Sequence, residues 1–301
     1  MTIAINTVDG PPITAPAVVV GCMRLSDVAG TRALYTAARE AGLNMFDHAD
    51  IYGGNHRCES LFGDLALSAA ERSEIILQTK VGIRPGFYDS SAAHIERSVE
   101  ASLRALGTDY LDILLIHRPD VLTAPEEIRA AFARLHAAGK VRAFGVSNHN
   151  ARQVQALGEP YTSVNQVQLG PAHPNVYAHG LTVNMGAEQL SPNRDGGVLE
   201  QARGGEVVLQ AYSPFQGSGG PFLLDERYAA LNECLTRLAA RHGVAPEAIV
   251  TAWVLRPPVA VQVVSGTTNP HRLALLAAGQ QVVLDRAEWY EVYRLAGNQL
   301  P

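Results

Sequence analysis

Four side chains of this chain can together move a proton at neutral pH: Asp47, Tyr52, Lys80 and His117. A free phenol has a pKa of about 10 and is a poor acid at pH 7. An ammonium beside it favours the phenolate and lowers that value, and a carboxylate paired with the ammonium keeps it charged and oriented. Asp47, Lys80 and Tyr52 are therefore a means of turning a tyrosine into a general acid. His117 can hydrogen-bond the same acceptor oxygen, orienting it or sharing the proton. Such a group protonates an oxyanion as it forms, which is what carbonyl reduction by hydride requires. Plainer roles stay open: an Asp47–Lys80 ion pair at a rim, a loop aromatic at Tyr52, a backbone-bonding cap at His117. His48 reads as structural, and His149 as either a pocket wall or part of an exposed loop.

These residues are far apart along the chain, so the fold must gather them. Short apolar, β-branched runs stand at residues 17–23, 43–46, 74–80, 111–117, 141–147, 163–166, 207–210 and 259–264. Most lack polar alternation, as do strands buried on both faces of a parallel sheet. They recur at roughly 35 residues, a plausible βα-crossover length. Between them, Ile95, Val99, Leu103 and Leu106 fall three or four apart, with Gly107 where a helix-terminating glycine belongs. Ile128, Ala131, Phe132, Leu135 and Ala138 repeat the stripe, and Asn269-Pro270 reads as an N-cap with proline in the first turn.

Eight such units predict an α/β protein, a (β/α)8 TIM barrel forming a single domain over residues 1–301, with an additional C-terminal helix over residues 285–295. A doubly wound sheet fits worse, because Gly21-Cys22-Met23-Arg24 follows the first strand and no GxGxxG does. In a barrel the reactive groups come from C-terminal strand ends. Asp47, Lys80, His117, Ser147, Gln166 and Tyr212 all stand at such ends.

Composition narrows the partners. With 47% hydrophobic residues among 301, a long disordered chain is excluded. The 24 basic and 29 acidic residues leave a net charge of −5, without the basic stripe of a nucleic-acid binder. No apolar run approaches the ~18 residues of a spanning helix, and the first residues lack the pattern of a signal peptide. Cys22, Cys58 and Cys234 are spaced for neither a disulfide framework nor a metal. A soluble cytoplasmic protein is expected, without nucleic-acid or membrane partners and without a metal; its oligomeric state is not readable. A metal-dependent barrel hydrolase built on Asp47, His48, Asp50, His117 and His149 lacks paired histidines after strand one. It also leaves Lys80 and Tyr52 without a role.

The motifs Phe46-Asp47-His48-Ala49-Asp50-Ile51-Tyr52-Gly53, Gln78-Thr79-Lys80, Leu114-Leu115-Ile116-His117-Arg118-Pro119, Gly145-Val146-Ser147-Asn148 and Ala211-Tyr212-Ser213-Pro214 resemble those of the aldo-keto reductases. The Asp-His-Ala-Asp-Ile-Tyr-Gly-Gly form is similar to a bacterial branch of that family. The resemblance runs over nearly the whole chain. It implies a barrel that binds NADPH, with NADH use also open, and reduces a small-molecule carbonyl compound. Tyr52 would be the acid, Asp47 and Lys80 its tuning pair, and His117 the carbonyl-orienting partner. Ser147, Asn148 and Gln166 would bond the nicotinamide carboxamide, and Tyr212 would stack beneath the ring. Ser213, Pro214, Phe215, Gln216 and Gly217 would wrap the pyrophosphate. Gly266, Thr267, Thr268 and Arg272 would hold the adenosine end, and Met23 and Arg24 would border the cofactor. Many NADPH-preferring members carry lysine where Gly266 stands, so the preference would rest on Arg272 and Thr267. The short stretch after Leu295 implies an open, permissive pocket. Some barrels of this family instead serve as cofactor-sensing subunits of membrane channels, an alternative the motifs do not separate.

Overall fold

Eight short strands have almost no solvent on either face, which is why their sequences carry no polar alternation. They are β1 (Val18–Gly21), β2 (Met45–Asp47), β3 (Ile76–Val81), β4 (Leu111–Ile116), β5 (Val141–Ser147), β6 (Val164–Gln168), β7 (Val208–Tyr212) and β8 (Val261–Ser265). All eight expected runs are strands, with ends moved by up to two residues; Asp47 lies within β2 rather than after it. The computed structural model describes residues 1–181, 196–298 and 300. Neighbouring strands are parallel and the sheet closes on itself, β8 pairing β1 from Val263↔Val18 to Ser265↔Val20.

Register sets the height of the reactive groups. Asp47 lies opposite Gly21 on one side and Gln78 on the other. Lys80 faces Leu115, and Gln166 faces both Ser147 and Gln210. Gly21 is required where it stands: a Cβ there would lie 2.2 Å from the Ser265 carbonyl oxygen.

The interior is filled by Val19, Met45, Ile113, Leu115, Val164 and Val264, joined by Ile5, Ile13 and Ala15 from a hairpin. That hairpin, Thr2–Ile5 paired antiparallel with Ile13–Pro16, is an addition to the architecture expected from the sequence. It closes the strand N-terminal ends, with Val8 N–H donating to Arg142 O (3.1 Å) and Ser163 Oγ to Asn6 O (2.7 Å). The candidate reactive groups lie at the other end, around a cavity.

The helices carry the expected signals. Ser91 caps Ala92–Leu106, which stops at Gly107 with φ 64°. Asn269 accepts from Arg272 N–H to cap Pro270–Ala277. The C-terminal helix Arg286–Leu295 begins with an Asp285–Glu288 capping box. Trp289 docks it by stacking on Trp253 at 4.9 Å, each indole N–H donating to the other's backbone carbonyl at 3.0 Å. Satisfying both indoles lets two large aromatic surfaces be buried without an orphaned donor. Among the described residues no helix is long and apolar enough to cross a membrane.

Candidate active site

Lys80 comes from β3 and points into the barrel, where it is 1% exposed. Its Nζ donates to Asp47 Oδ2 (2.7 Å), Asp47 Oδ1 (2.8 Å) and His48 O (2.7 Å). All three ammonium hydrogens have acceptors, which is what makes a buried cation tolerable. Burial alone would bring Lys80 down, but the Asp47 charge and the Tyr52 hydroxyl more than offset it, and Lys80 sits above its ordinary value. It is a fixed ammonium.

Tyr52 follows β2 in a tight turn closed by its own N–H to Ala49 O (3.0 Å). The turn continues through Gly53 and Gly54 at φ 69° and 81°, a region open to glycine. Lys80 Nζ lies 5.0 Å from the Tyr52 ring centroid. Here the structure departs from the expectation that the ammonium brings the phenol down toward neutrality. Burial pushes Tyr52 up, the Lys80 charge opposes it, and the phenol remains above its ordinary value. Its proton is thus held across the physiological range and leaves only when a stronger base forms beside it.

His117 sits immediately after β4, with its ring edge-on to Tyr52 at 6.1 Å. Burial, then the charges of Lys80 and Arg118, push it down to about 3. It is a neutral imidazole, and its buried Nδ1 has no hydrogen-bond partner among the described residues. Tyr52 and His117, with Asp47, Met23 and Ile51, line a cavity of about 250 Å³ at the strand C-terminal ends. A separate cleft of about 370 Å³, among Tyr177, Leu199, Pro257 and Trp289, touches none of these groups.

A layer of glutamines beneath the site escapes the sequence reading. Gln78 and Gln166 Nε2 both donate to Asp47 Oδ1, and both also donate to Gln210 Oε1. Gln210 donates on to Gln262, which ends at Pro16 O (2.7 Å) and so ties the site to the hairpin. The available signal is amides in apolar strands, Ile-Leu-Gln78 and Val-Leu-Gln210. A buried amide is stable only when paired.

The remaining expected residues fall into three groups. Ser147, Asn148, Gln166, Tyr212, Ser213 and Gly266 line the cavity with Met23. Arg24 is exposed and stands outside that lining. Pro214, Phe215, Gln216, Gly217, Thr267, Thr268 and Arg272 lie beyond it, on the segments after β7 and β8. Arg272 Nε stands 3.6 Å from Glu247 Oε1, an ion pair open to solvent. Asn148 and Ser213 have φ of 59° and 51°, a left-handed conformation that costs non-glycine residues of order 1 kcal/mol. Local bonds hold Asn148 there: Tyr212 OH donates to its Oδ1 (3.1 Å), and its Nδ2 donates to Ser147 Oγ (2.9 Å).

Behind Lys80 lies a second buried group of titratable residues. Glu59, fully buried, accepts from Thr79 Oγ1 and pairs with His56 Nδ1. Asp50 Oδ1 is buried without a partner among the described residues. Burial, then the Glu59 charge, pushes Asp50 up to about 7, and burial pushes His48 down to about 4. Between its unfolded value of about 3.9 and about 7, folded Asp50 holds more proton than the unfolded chain. Stability must therefore fall as pH rises through that window. Asp50→Asn, neutral at every pH, should gain in melting temperature relative to the unsubstituted protein between pH 5 and pH 8. A difference that does not change with pH would contradict this. Among the described residues, no three His, Cys, Asp or Glu side chains converge as metal ligands would.

Barrel, site and sequence together define the class: the chain belongs to the Aldo/keto reductase family, whose model matches residues 18–296, and it is an oxidoreductase. Among particular relatives it is 34% identical over 297 residues to the 6-dehydroglucose reductase of Agrobacterium fabrum, covering 93% of each chain. It is 34% identical over 278 residues to oxidoreductase YdhF of Escherichia coli, covering 87% of this chain and 86% of that one. It is similar in fold to a solved aldo-keto reductase from Klebsiella pneumoniae in complex with NADPH. That match has a TM-score of 0.73 at 23% identity and covers 99% of this chain and 96% of the other.

Proposed function

We propose that the protein, as a single-domain cytoplasmic enzyme, reduces an aldehyde or ketone to an alcohol with NADPH, Tyr52 acting as general acid. The observation that carries this reading is the buried ammonium of Lys80, fixed by Asp47 and set against Tyr52 beside a neutral His117 at one cavity. The solved Klebsiella pneumoniae relative is a complex with NADPH, and the residues here suit that nucleotide. Gly266 leaves open space where a Cβ would stand, at the lip of the cavity. Tyr212 is fixed through Asn148, so its ring can serve as a stacking wall. Both Nε2 hydrogens of Gln166 are committed to Asp47 and Gln210, so Oε1 remains to accept from the carboxamide. Asn148 and Ser147 complete that contact, Ser213 to Gly217 would hold the pyrophosphate, and Thr267, Thr268 and Arg272 the 2′-phosphate end. The three cysteines are free and buried, which suits a reducing compartment.

When bound, the nucleotide supplies the hydride. The chain's own residues do the rest. His117 and Tyr52 hold the carbonyl oxygen between them, and Tyr52 gives its proton to the oxygen as negative charge develops there. Lys80 then faces the forming phenolate, stabilising it at short range in a site of low dielectric. Asp47 and the glutamine layer keep that ammonium from shifting.

The test is loss of near-ultraviolet NADPH absorbance on mixing with a panel of aldehydes and ketones, repeated with NADH. Arg272→Ala should raise the KM for NADPH about fivefold, the equivalent of about 1 kcal/mol for an exposed charge pair. The KM for NADH should stay where it was. An unchanged ratio between the two nucleotides would remove Arg272 from the phosphate site.

A further inference from the structure

Arg118 follows His117 directly and is half-buried at the mouth of the barrel. It forms part of the wall of the 250 Å³ cavity and of a neighbouring cavity of about 460 Å³, and Asn148 and Tyr212 are also shared by the two. The two spaces thus meet at the residue next to the carbonyl-orienting imidazole. Its guanidinium has no hydrogen bond or ion pair among the described residues. The nearest acid in sequence, Asp120, is committed elsewhere: it accepts from Ser90 N–H (2.9 Å), Leu122 N–H (2.9 Å) and Thr123 Oγ1 (2.7 Å). No Asp or Glu of the described residues lines the larger cavity. In the smaller one the only carboxylate among the described residues is Asp47, already neutralised by Lys80.

A guanidinium partly withdrawn from water and left unpaired is costly, and a carboxylate or phosphate offsets that cost with a paired, bidentate contact. The rest of the larger cavity offers amides and imidazoles, Gln153, Gln168, Asn175, His149 and His173, which bond polar groups without adding a competing negative charge. We infer that Arg118 receives an anionic group of the substrate, and that the carbonyl compounds this enzyme takes carry a carboxylate or phosphate a short spacer away from the carbonyl. The inference rests on the reductase reading for the placement of that carbonyl.

The experiment compares matched probes with NADPH: 4-carboxybenzaldehyde against methyl 4-formylbenzoate, and glyceraldehyde 3-phosphate against glyceraldehyde. At least one anionic probe should exceed its neutral counterpart in kcat/KM by about tenfold or more; which pair shows it separates carboxylate from phosphate. Arg118→Met should collapse that ratio toward unity, and Arg118→Lys should restore part of it. Turnover of neutral and anionic probes alike, without preference, overturns the anionic class while leaving the reductase reading in place. A preference that survives Arg118→Met overturns the role of Arg118. If no probe is turned over, calorimetric titration of the NADP⁺-bound enzyme with benzoate and benzamide decides. Benzoate binding lost in Arg118→Met supports the site independently of catalysis, and equal or absent binding of the two overturns it.

Discussion

Tyr52→Phe should lower kcat by about 10²–10⁴-fold, the range for loss of a positioned general acid, while leaving NADPH binding intact. The substitution is narrow because the ring remains. The phenyl group left behind keeps the edge contact with His117 at the 6.1 Å spacing and the place under the Lys80 ammonium. Only the hydroxyl is lost. His117 cannot substitute for it, since an imidazole pushed down to about 3 carries no second proton to donate at any working pH. Nor can Lys80, whose three hydrogens are held by Asp47 and His48 and whose pKa is raised rather than lowered. The loss should therefore persist across pH 6 to 8 without partial rescue at the acid end. Single-turnover decay of NADPH absorbance with an aldehyde measures it. A chemical rate within about twofold of the unsubstituted enzyme would assign the proton to another group.

The same site shows what a sequence can and cannot disclose. Asp47, Lys80 and His117 are legible because each ends or directly follows a short run that reads as a strand of a parallel sheet. The barrel then dictates that such ends converge. The acidity of Tyr52 is not legible, because spacing conveys the presence of an ammonium but not the depth of burial that opposes it. The hairpin Thr2–Ile5 with Ile13–Pro16 escapes because it stands outside the recurring βα units by which the other strands are read. The glutamine layer escapes for another reason: a strand residue's partner across a barrel is set by closure and register. Gln78 and Gln210 are 132 residues apart yet exchange hydrogen bonds. Arg118 illustrates the same limit: the loop turns the carboxylate of Asp120, two residues on, toward Ser90, Leu122 and Thr123, and sequence proximity conveys nothing of that.

Lys80→Met should cost about 3–5 kcal/mol of folding stability as well as activity, because it leaves a buried carboxylate without its counter-charge. Asp47 is 2% exposed, and after the substitution its remaining donors among the described residues are the Gln78 and Gln166 amides, both converging on Oδ1. Oδ2 would have none, and the His48 carbonyl would lose its donor too. The ammonium's contribution is fully in place at pH 7: a group whose folded pKa is raised contributes below its unfolded value of about 10.4 and loses that contribution only as pH climbs through the folded one. Urea denaturation at pH 7 reads the deficit directly. The sharper measurement is the cycle with Asp47→Leu. If the carboxylate is costly only when unpaired, Lys80→Met with Asp47→Leu should be more stable than Lys80→Met alone, although equally inactive. Strictly additive losses would mean that the two side chains stand near each other without depending on each other. The carboxylate could then no longer be the reason the ammonium is held against Tyr52.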